Sequence, residues 1–434
     1  MKARMPMEMA SDFRQHWRTL AGCTIAASIG TFGLHSYTSG AFVPELAKHA
    51  GFTRGEMSLA TLILCATIAV SAPFVGALMD RYGALRIVSV AVVGEAAAFA
   101  LLGLIRANFP SYASGIFILA VLGVGTTPPG FARMVTARFD RSRVLALGVL
   151  ISGLCVVAIA GPVWMTAVIQ HLGWRGGYFA LAGLVLLLGG GGVLLTRSDG
   201  TMPEAQGNTD ESQSRARAGG YAPLRRPLFW MMLLGFAAPA VFCGGYILHL
   251  ITLLRERGFS RGEAAQIQAL IGVAVLAGRL GSGWALDHFP AQRVAACTAF
   301  VSGLACALLL QSDPVLLCIA ALGIGLTIGA ELDVMAYLLS RYFGLDSFGR
   351  LYALAYACLI TSAGVSPVLI NWIADFGGGY GAALITSTIG TISGAAVLML
   401  LPNPPVSAAW GTIAETSSRH RLADPVDPAT VAET

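Results

Sequence analysis

Charged side chains are scarce in this chain. Only 12% of its 434 residues are Asp, Glu, Lys or Arg, against 56% hydrophobic, and the mean hydropathy is +0.70. Soluble domains carry roughly 25% charged residues, so most of this sequence does not face water. The 8 cysteines stand singly inside apolar runs with no CxxC spacing, which removes a disulfide framework and a thiolate metal site. HExxH, GxSxG and a glycine-rich nucleotide loop are also missing, and with them the recognisable signatures of an enzyme buried in a membrane. No metal or cofactor is implied. The formal charge of +5 does not call for nucleic acid, because the placement of the basic residues accounts for it.

What the chain has instead is a succession of apolar runs, each near the roughly 20 residues a helix needs to cross a bilayer. Twelve helices are expected, six near 19–44, 57–79, 84–105, 112–134, 142–168 and 176–195. Six more are expected near 228–253, 263–285, 291–311, 314–338, 348–371 and 379–401. The fold class is an all-α membrane protein with twelve transmembrane helices in two pseudo-symmetric six-helix bundles. Residues 1–18 form a charged N-terminal segment, 19–195 the first bundle and 228–401 the second. Between them, 196–227 is polar and rich in Gly and Pro, a solvated linker. The polar tail 402–434 is expected to be disordered. The first apolar run is too long, and followed by too many others, to be a cleaved signal peptide.

The halves are copies. Residues 51–56 read GFTRGE and 258–263 read GFSRGE, and the same offset of 207 places Gly76, Asp80 and Arg86 on Gly283, Asp287 and Arg293. Later in each half, Arg138–Phe139, Pro162 and GWRGGYFAL (173–181) parallel Arg341–Tyr342, Pro367 and GGGYGAAL (377–384). A duplicated membrane body with a seam between the copies is the usual build of a secondary transporter.

The basic residues orient it. With the N-terminus inside, the tails, the linker and the inner loops hold 20 of the 28 Lys and Arg. The outer loops hold seven (Lys48, Arg54, Arg106, Arg175, Arg255, Arg257 and Arg261), and Arg279 lies within a helix. That bias puts both termini on the cytoplasmic side of the membrane.

GALMDRYGALR (76–86) resembles the signature GxxxDRxGxRR/K of the major facilitator superfamily, with Ala84 and Leu85 in place of its basic cluster. GWALDHFPAQR (283–293) is a degenerate copy, with His288 and Pro290 for Arg81 and Gly83. The resemblance covers about 15–401 and implies two six-helix bundles around a central cavity, working by alternating access. GWRGGYF and GRLGSGWALD (278–287) look closest to bacterial monocarboxylate transporters and their oxalate/formate relatives. In those relatives an arginine on the eighth helix anchors the substrate carboxylate, and Arg279 matches its spacing. Two departures stand out: Val275 occupies the position of the family's acidic residue one turn earlier, and GTFGLHSYTSG (30–40) lacks the first-helix acidic signature.

Arg279 is the sharpest candidate site. Its repeat partner is Ala72, so the charge is not a shared scaffold feature. A guanidinium in hydrocarbon costs from about 2.5 to over 10 kcal/mol and must face water, cargo or a carboxylate such as Glu331 or Asp333. His35 and Tyr37, with Tyr246 and His249, occupy equivalent regions of the two halves and are candidates for the cavity wall, as are Tyr356 and Asn371. For coupling or gating the candidates are Asp80, Arg81 and Arg86 in the loop signature, Asp287 in its copy, Glu331 and Asp333, which point in different directions, and Glu95. Asp80 is expected to bind an arginine or helix end, with Arg138, Arg141 and Arg143 near enough, and the tenth-helix carboxylates to meet Arg341 or Arg350. Glu95 is either a proton carrier or a neutral hydrogen-bonding group, and Thr126–Thr127 before Pro128–Pro129 marks a helix break.

The reading is a secondary active transporter, monomeric, that moves a small organic anion, a monocarboxylate, possible proton coupling included. Two alternatives stay open: an exporter of amphipathic compounds, with a site of Phe, Trp and Met and Arg279 in a salt bridge, and a receptor that binds without transport.

Overall fold

The computed structural model describes residues 4–139, 143–199, 222–344 and 348–403, and their regular structure is helical throughout. The first half holds α1 (Arg4–Ser28), α2 (Thr31–Ala50), α3 (Arg54–Tyr82), α4 (Ala84–Leu104), α5 (Phe109–Gly123), α6 (Pro128–Thr136), α7 (Arg143–Leu184) and α8 (Gly190–Arg197). The second holds α9 (Pro227–Phe242), α10 (Tyr246–Glu256), α11 (Arg261–His288), α12 (Ala291–Leu308), α13 (Pro314–Phe343), α14 (Phe348–Phe376) and α15 (Tyr380–Met399). Residues 200–221 of the expected linker and 404–434 of the expected tail lie outside the described residues.

Among the described residues, 10 helical stretches are long and apolar enough to cross a membrane. The longest, Leu145–Arg197, has 53 residues. At 1.5 Å per residue that is roughly 80 Å, more than twice the hydrocarbon thickness. It is interrupted at Gly173, whose φ of 70° and ψ of 176° are not helical. The chain is an all-α integral membrane protein. Its first helix begins earlier than the hydropathy suggests: the charged N-terminal segment is helical from Arg4, kinks at His16, and α1 gives way to α2 at Ile29–Gly30.

Three breaks shape the interior. Gly30 is extended, with ψ 149°. Between α5 and α6, Val124–Thr126 tightens to a 3-10 turn, since Pro128 and Pro129 cannot supply the N–H groups that would continue α5. Cys243–Gly245 separates α9 from α10, and the Gly245 N–H donates to Ser366 Oγ at 2.7 Å.

The repeated hexapeptides fold alike. Gly51 and Gly258 take positive φ (69° and 93°) after α2 and α10. Thr53 and Ser260 then cap α3 and α11 in closed capping boxes with Glu56 and Glu263. The S/T-x-x-E spacing within each copy accounts for this start signal.

The halves meet along three helix pairs: α7 with α11, α3 with α14, and α2 with α10. Small residues bring the backbones close. A methyl at Gly272 on α11 would fall 2.4 Å from the backbone of Ala158 and Ile159 on α7.

Candidate functional site

A cavity of about 190 Å³ lies between the halves, walled mainly by α2, α3, α7, α11, α13 and α14. Apolar side chains dominate it, among them Phe32, Ile151, Leu154, Ile324 and Ile328. The ionisable side chains on its wall are Arg279, Glu331, Tyr37, Tyr356 and three cysteines, Cys65, Cys155 and Cys243.

Arg279 Nη1 stands 3.6 Å from Asp333 Oδ1, an ion pair looser than a direct charged hydrogen bond. Its buried Nε has no partner. The guanidinium therefore borders the cavity with donor capacity left over. Glu331, two residues before Asp333, lines the cavity, and its buried Oε1 also lacks a partner. The two carboxylates are turned about 200° apart on the helix, which is why one reaches Arg279 and the other the cavity wall.

The remaining candidates separate by helix face. Tyr37 lines the cavity while His35, also two residues away, is 3% exposed and not part of its wall. Tyr246 and His249 point away from it. Tyr246 Oη lies 3.2 Å from Ser387 Oγ. His249 Nε2 sits 3.1 Å from the Pro367 carbonyl, to which it donates, and the Tyr380 hydroxyl lies 3.3 Å from Nδ1, which accepts. Asn371 donates to Asp375 Oδ2 at 2.9 Å and is outside the cavity wall. Tyr356 is on it.

The loop signature is held within the first half. Arg133 Nη1 donates to Asp80 Oδ1 at 2.7 Å and to the Gly76 carbonyl at 3.0 Å. Arg138 is held elsewhere, donating to the Asp199 carbonyl at 2.8 Å, and Arg141 and the side chain of Arg143 lie outside the described residues. Arg81 stacks over Tyr82, 5.3 Å from the ring centre. Arg86 and Asp287 are exposed. Arg341 reaches the Tyr337 hydroxyl at 3.1 Å, and the Arg350 side chain is outside the described residues. Glu95 is 1% exposed and hydrogen-bonded to Thr126.

Sequence reasoning missed the clamp at one end of the cavity. Arg54 pairs with Glu256, and Arg261 with Glu45, in both cases across the two halves. Arg54 and Arg261 are the arginines of the two repeated hexapeptides. His49 Nδ1 adds a contact to Glu45 Oε2 at 3.3 Å. Among the described residues both ion pairs that join the halves lie at this end, which is closed. The repeat carries both arginines, but its pattern alone marks duplication and does not name their partners.

The model of the Major Facilitator Superfamily matches residues 20–292 and 244–424. The chain belongs to the Major Facilitator Superfamily. This superfamily member is a secondary transporter built for alternating access. It is 24% identical over 300 residues to Monocarboxylate transporter 12 of Mus musculus, covering 62% of this chain and 61% of that protein. Monocarboxylate transporter 13 of Bos taurus is 26% identical over 316 residues, covering 70% and 71%. Multidrug resistance protein MdtL of Klebsiella pneumoniae (strain 342) is 24% identical over 263 residues, covering 59% and 64%. The chain thus spans between about three fifths and seven tenths of these relatives. Among solved structures, a D-xylose-proton symporter superposes with TM-score 0.72 at 12% identity, over 89% of this chain and 98% of that one. An inward-facing, occupied bacterial homologue of the lysosomal transporter Spinster gives 0.66 at 17% identity, over 94% and 98%. At such identities these structures speak for the fold alone.

Proposed function

We propose that this transporter carries a small organic anion, a monocarboxylate, whose carboxylate docks on Arg279 while its apolar part lies against the isoleucines of α13. The observation that carries this reading is the Arg279 guanidinium on the cavity wall, with an unpartnered Nε and only the loose Asp333 contact. A planar donor fork suits a carboxylate in two-point contact, and cargo can take over from Asp333. Tyr37 and Tyr356 offer hydroxyls to the same space. The likeness to monocarboxylate transporters supports the class. The likeness to a multidrug resistance protein favours the second reading, an amphipathic-compound exporter, but the cavity wall holds Phe32 and neither Trp nor Met.

The topology that goes with this function has twelve crossings. α1–α2 supplies the first, and Leu145–Arg197 crosses twice, turning at Gly173. The two six-helix bundles then occupy 19–195 and 228–401, joined by a cytoplasmic linker at 196–227, in the inner membrane with both termini inside. In that frame the Arg54–Glu256 and Arg261–Glu45 clamp closes the periplasmic end, and the structure is inward-facing. Asp80, Arg81, Arg86 and Asp287 sit at the cytoplasmic end and serve its gate. A proton travelling with the anion would keep the moved charge near zero, sparing work of about 2.3 kcal/mol per charge per 100 mV.

The test is uptake into proteoliposomes of short monocarboxylates beside their uncharged amides, with wild type and Arg279→Ala. Saturable uptake of acids only, lost in Arg279→Ala protein that elutes and melts like wild type, supports the reading. Equal uptake by both proteins, or transport of the amides, overturns it.

A further inference from the structure

We propose that Glu95 is the proton-binding site of this transporter, occupied in the conformation seen here, with Thr126 relaying the proton to the cavity. The inference extends the reading above, in which a proton accompanies the cargo, but the proton's place is argued from this site alone.

Glu95 lies midway along α4, 1% exposed, against the point where two helix breaks meet. One is Gly30, before α2; the other is the 3-10 turn between α5 and α6. The breaks touch: a methyl on Gly30 would fall 2.2 Å from the Thr126 carbonyl oxygen, and one on Gly123 1.8 Å from Thr31 Oγ1. Glu95 Oε2 and the Gly123 carbonyl oxygen both stand 2.7 Å from Thr126 Oγ1. The Thr31 N–H donates to the same hydroxyl oxygen at 3.1 Å, and the Thr31 hydroxyl lies 3.2 Å from it, longer than the two 2.7 Å contacts.

Counting hydrogens places the proton. Each 2.7 Å contact is the length of an O–H···O hydrogen bond and needs its own hydrogen. The threonine hydroxyl has one, and a carbonyl oxygen has none. If Thr126 donates to Gly123, the hydrogen between Thr126 and Glu95 must come from the carboxyl, which is then the neutral acid. With a carboxylate, the single threonine hydrogen would have to be shared between both short contacts as a weaker three-centre bond. The carboxylate would also be a buried charge with no cation beside it among the described residues, and its Oε1 has no hydrogen-bond partner.

Among the described residues no charged side chain relieves it, and Arg54 of α3 is held by Glu256. On the elements packed against α4, Glu56 caps α3, Asp80 and Arg133 hold each other, and Arg81 stacks on Tyr82. Arg175 reaches the Ile105 carbonyl, Arg197 reaches Ser89, and His171 is exposed. Tyr112 on α5 and Tyr178 on α7 bond to one another.

The route out is one residue long. Thr126 is itself on the cavity wall, beside Gly30 and Thr127. For release the Thr126 hydroxyl turns from the Gly123 carbonyl to cavity water. As the Glu95 proton passes to Thr126 Oγ1, the hydroxyl's own proton passes to that water, leaving a carboxylate and a hydronium ion. The carboxylate then lies at the junction of the two breaks with no counter-charge, and the junction must open to hydrate it. Proton release is in this way tied to movement of α2 against α5–α6, the hinges that a change of access would use.

Two measurements test this. Infrared difference spectra of reconstituted protein between acid and alkaline pH should show the C=O stretch of a protonated carboxyl lost in Glu95→Gln and retained in Thr126→Ser. An unchanged band in Glu95→Gln overturns the proposal, whatever the cargo is. In transport, Glu95→Gln, which mimics the neutral acid, should keep cargo exchange across the membrane and lose at least tenfold in accumulation driven by a pH gradient. Gradient-driven accumulation at the wild-type level in Glu95→Gln overturns it too. Arg279→Ala, by contrast, should lose cargo binding and keep the infrared band, so failure of the anion reading and failure of the proton site leave different signatures.

Discussion

Cutting the Arg261–Glu45 contact should open the end of the cavity that it closes. Glu45 is 9% exposed and Arg261 29%, whereas Arg54 and Glu256 are 41% exposed each. Water screens the second pair, which is worth about 0.2–1 kcal/mol. Removing Arg261 is different, because it leaves a buried carboxylate facing only His49 Nδ1 at 3.3 Å. That loss costs about 1–3 kcal/mol, and it falls on the closed form alone, since the pair exists only when the halves meet there. Arg261→Ala should then shift the closed-to-open ratio by about 5- to 150-fold, and Arg54→Ala by no more than about fivefold. Pulsed electron resonance between spin labels at Lys48→Cys and Gln266→Cys reads the distance across this end. Both positions are exposed, and Cys297, the one exposed cysteine among the described residues, is first replaced by serine. A longer-distance population should grow in Arg261→Ala and recede in the charge swap Arg261→Glu with Glu45→Arg. An unchanged distribution, or a larger effect from Arg54→Ala than from Arg261→Ala, refutes the reasoning.

Four further substitutions probe other parts of the structure. Thr53→Ala and Ser260→Ala each remove one capping box and should cost about 1 kcal/mol of stability, seen as earlier thermal unfolding in detergent. Gly272→Ala drives a methyl into the α7 backbone at 2.4 Å, where nothing flexible can yield. It should cost about 1–3 kcal/mol and weaken closure between the halves in the same distance assay. Asp333→Asn frees Arg279 from its resident carboxylate, so anion binding should tighten and release should slow, as read by equilibrium binding and single-turnover efflux.

Much of this architecture was written in the sequence in plain terms. Apolar runs located the helices, Pro128–Pro129 the break after α5, and the 207-residue offset the duplication. What stayed hidden depends on how the halves cross. Arg54 and Arg261 are repeat equivalents, but their partners are not. The same offset carries Glu45 onto Thr252 and Glu256 onto His49, so no pattern within one half announces the clamp. Helix phase explains other gaps, since His35 and Tyr37 cannot share a wall two residues apart. Asp80 is held by Arg133 rather than by Arg138 because α6 carries Arg133 within reach of Gly76 and Asp80 at the end of α3, a proximity that chain order conceals. The setting of Glu95 was hidden for a similar reason, since it needs two helix breaks, nearly a hundred residues apart in the chain, to meet on α4.

The most direct test is equilibrium binding of a transported monocarboxylate to purified wild type, Arg279→Lys and Arg279→Ala. A charge-assisted contact of about 1.5–3 kcal/mol predicts affinity lowered by about 10- to 150-fold in Arg279→Ala, with Arg279→Lys between. Equal affinity in all three proteins would contradict the anchor and leave the cargo bound by the apolar wall alone.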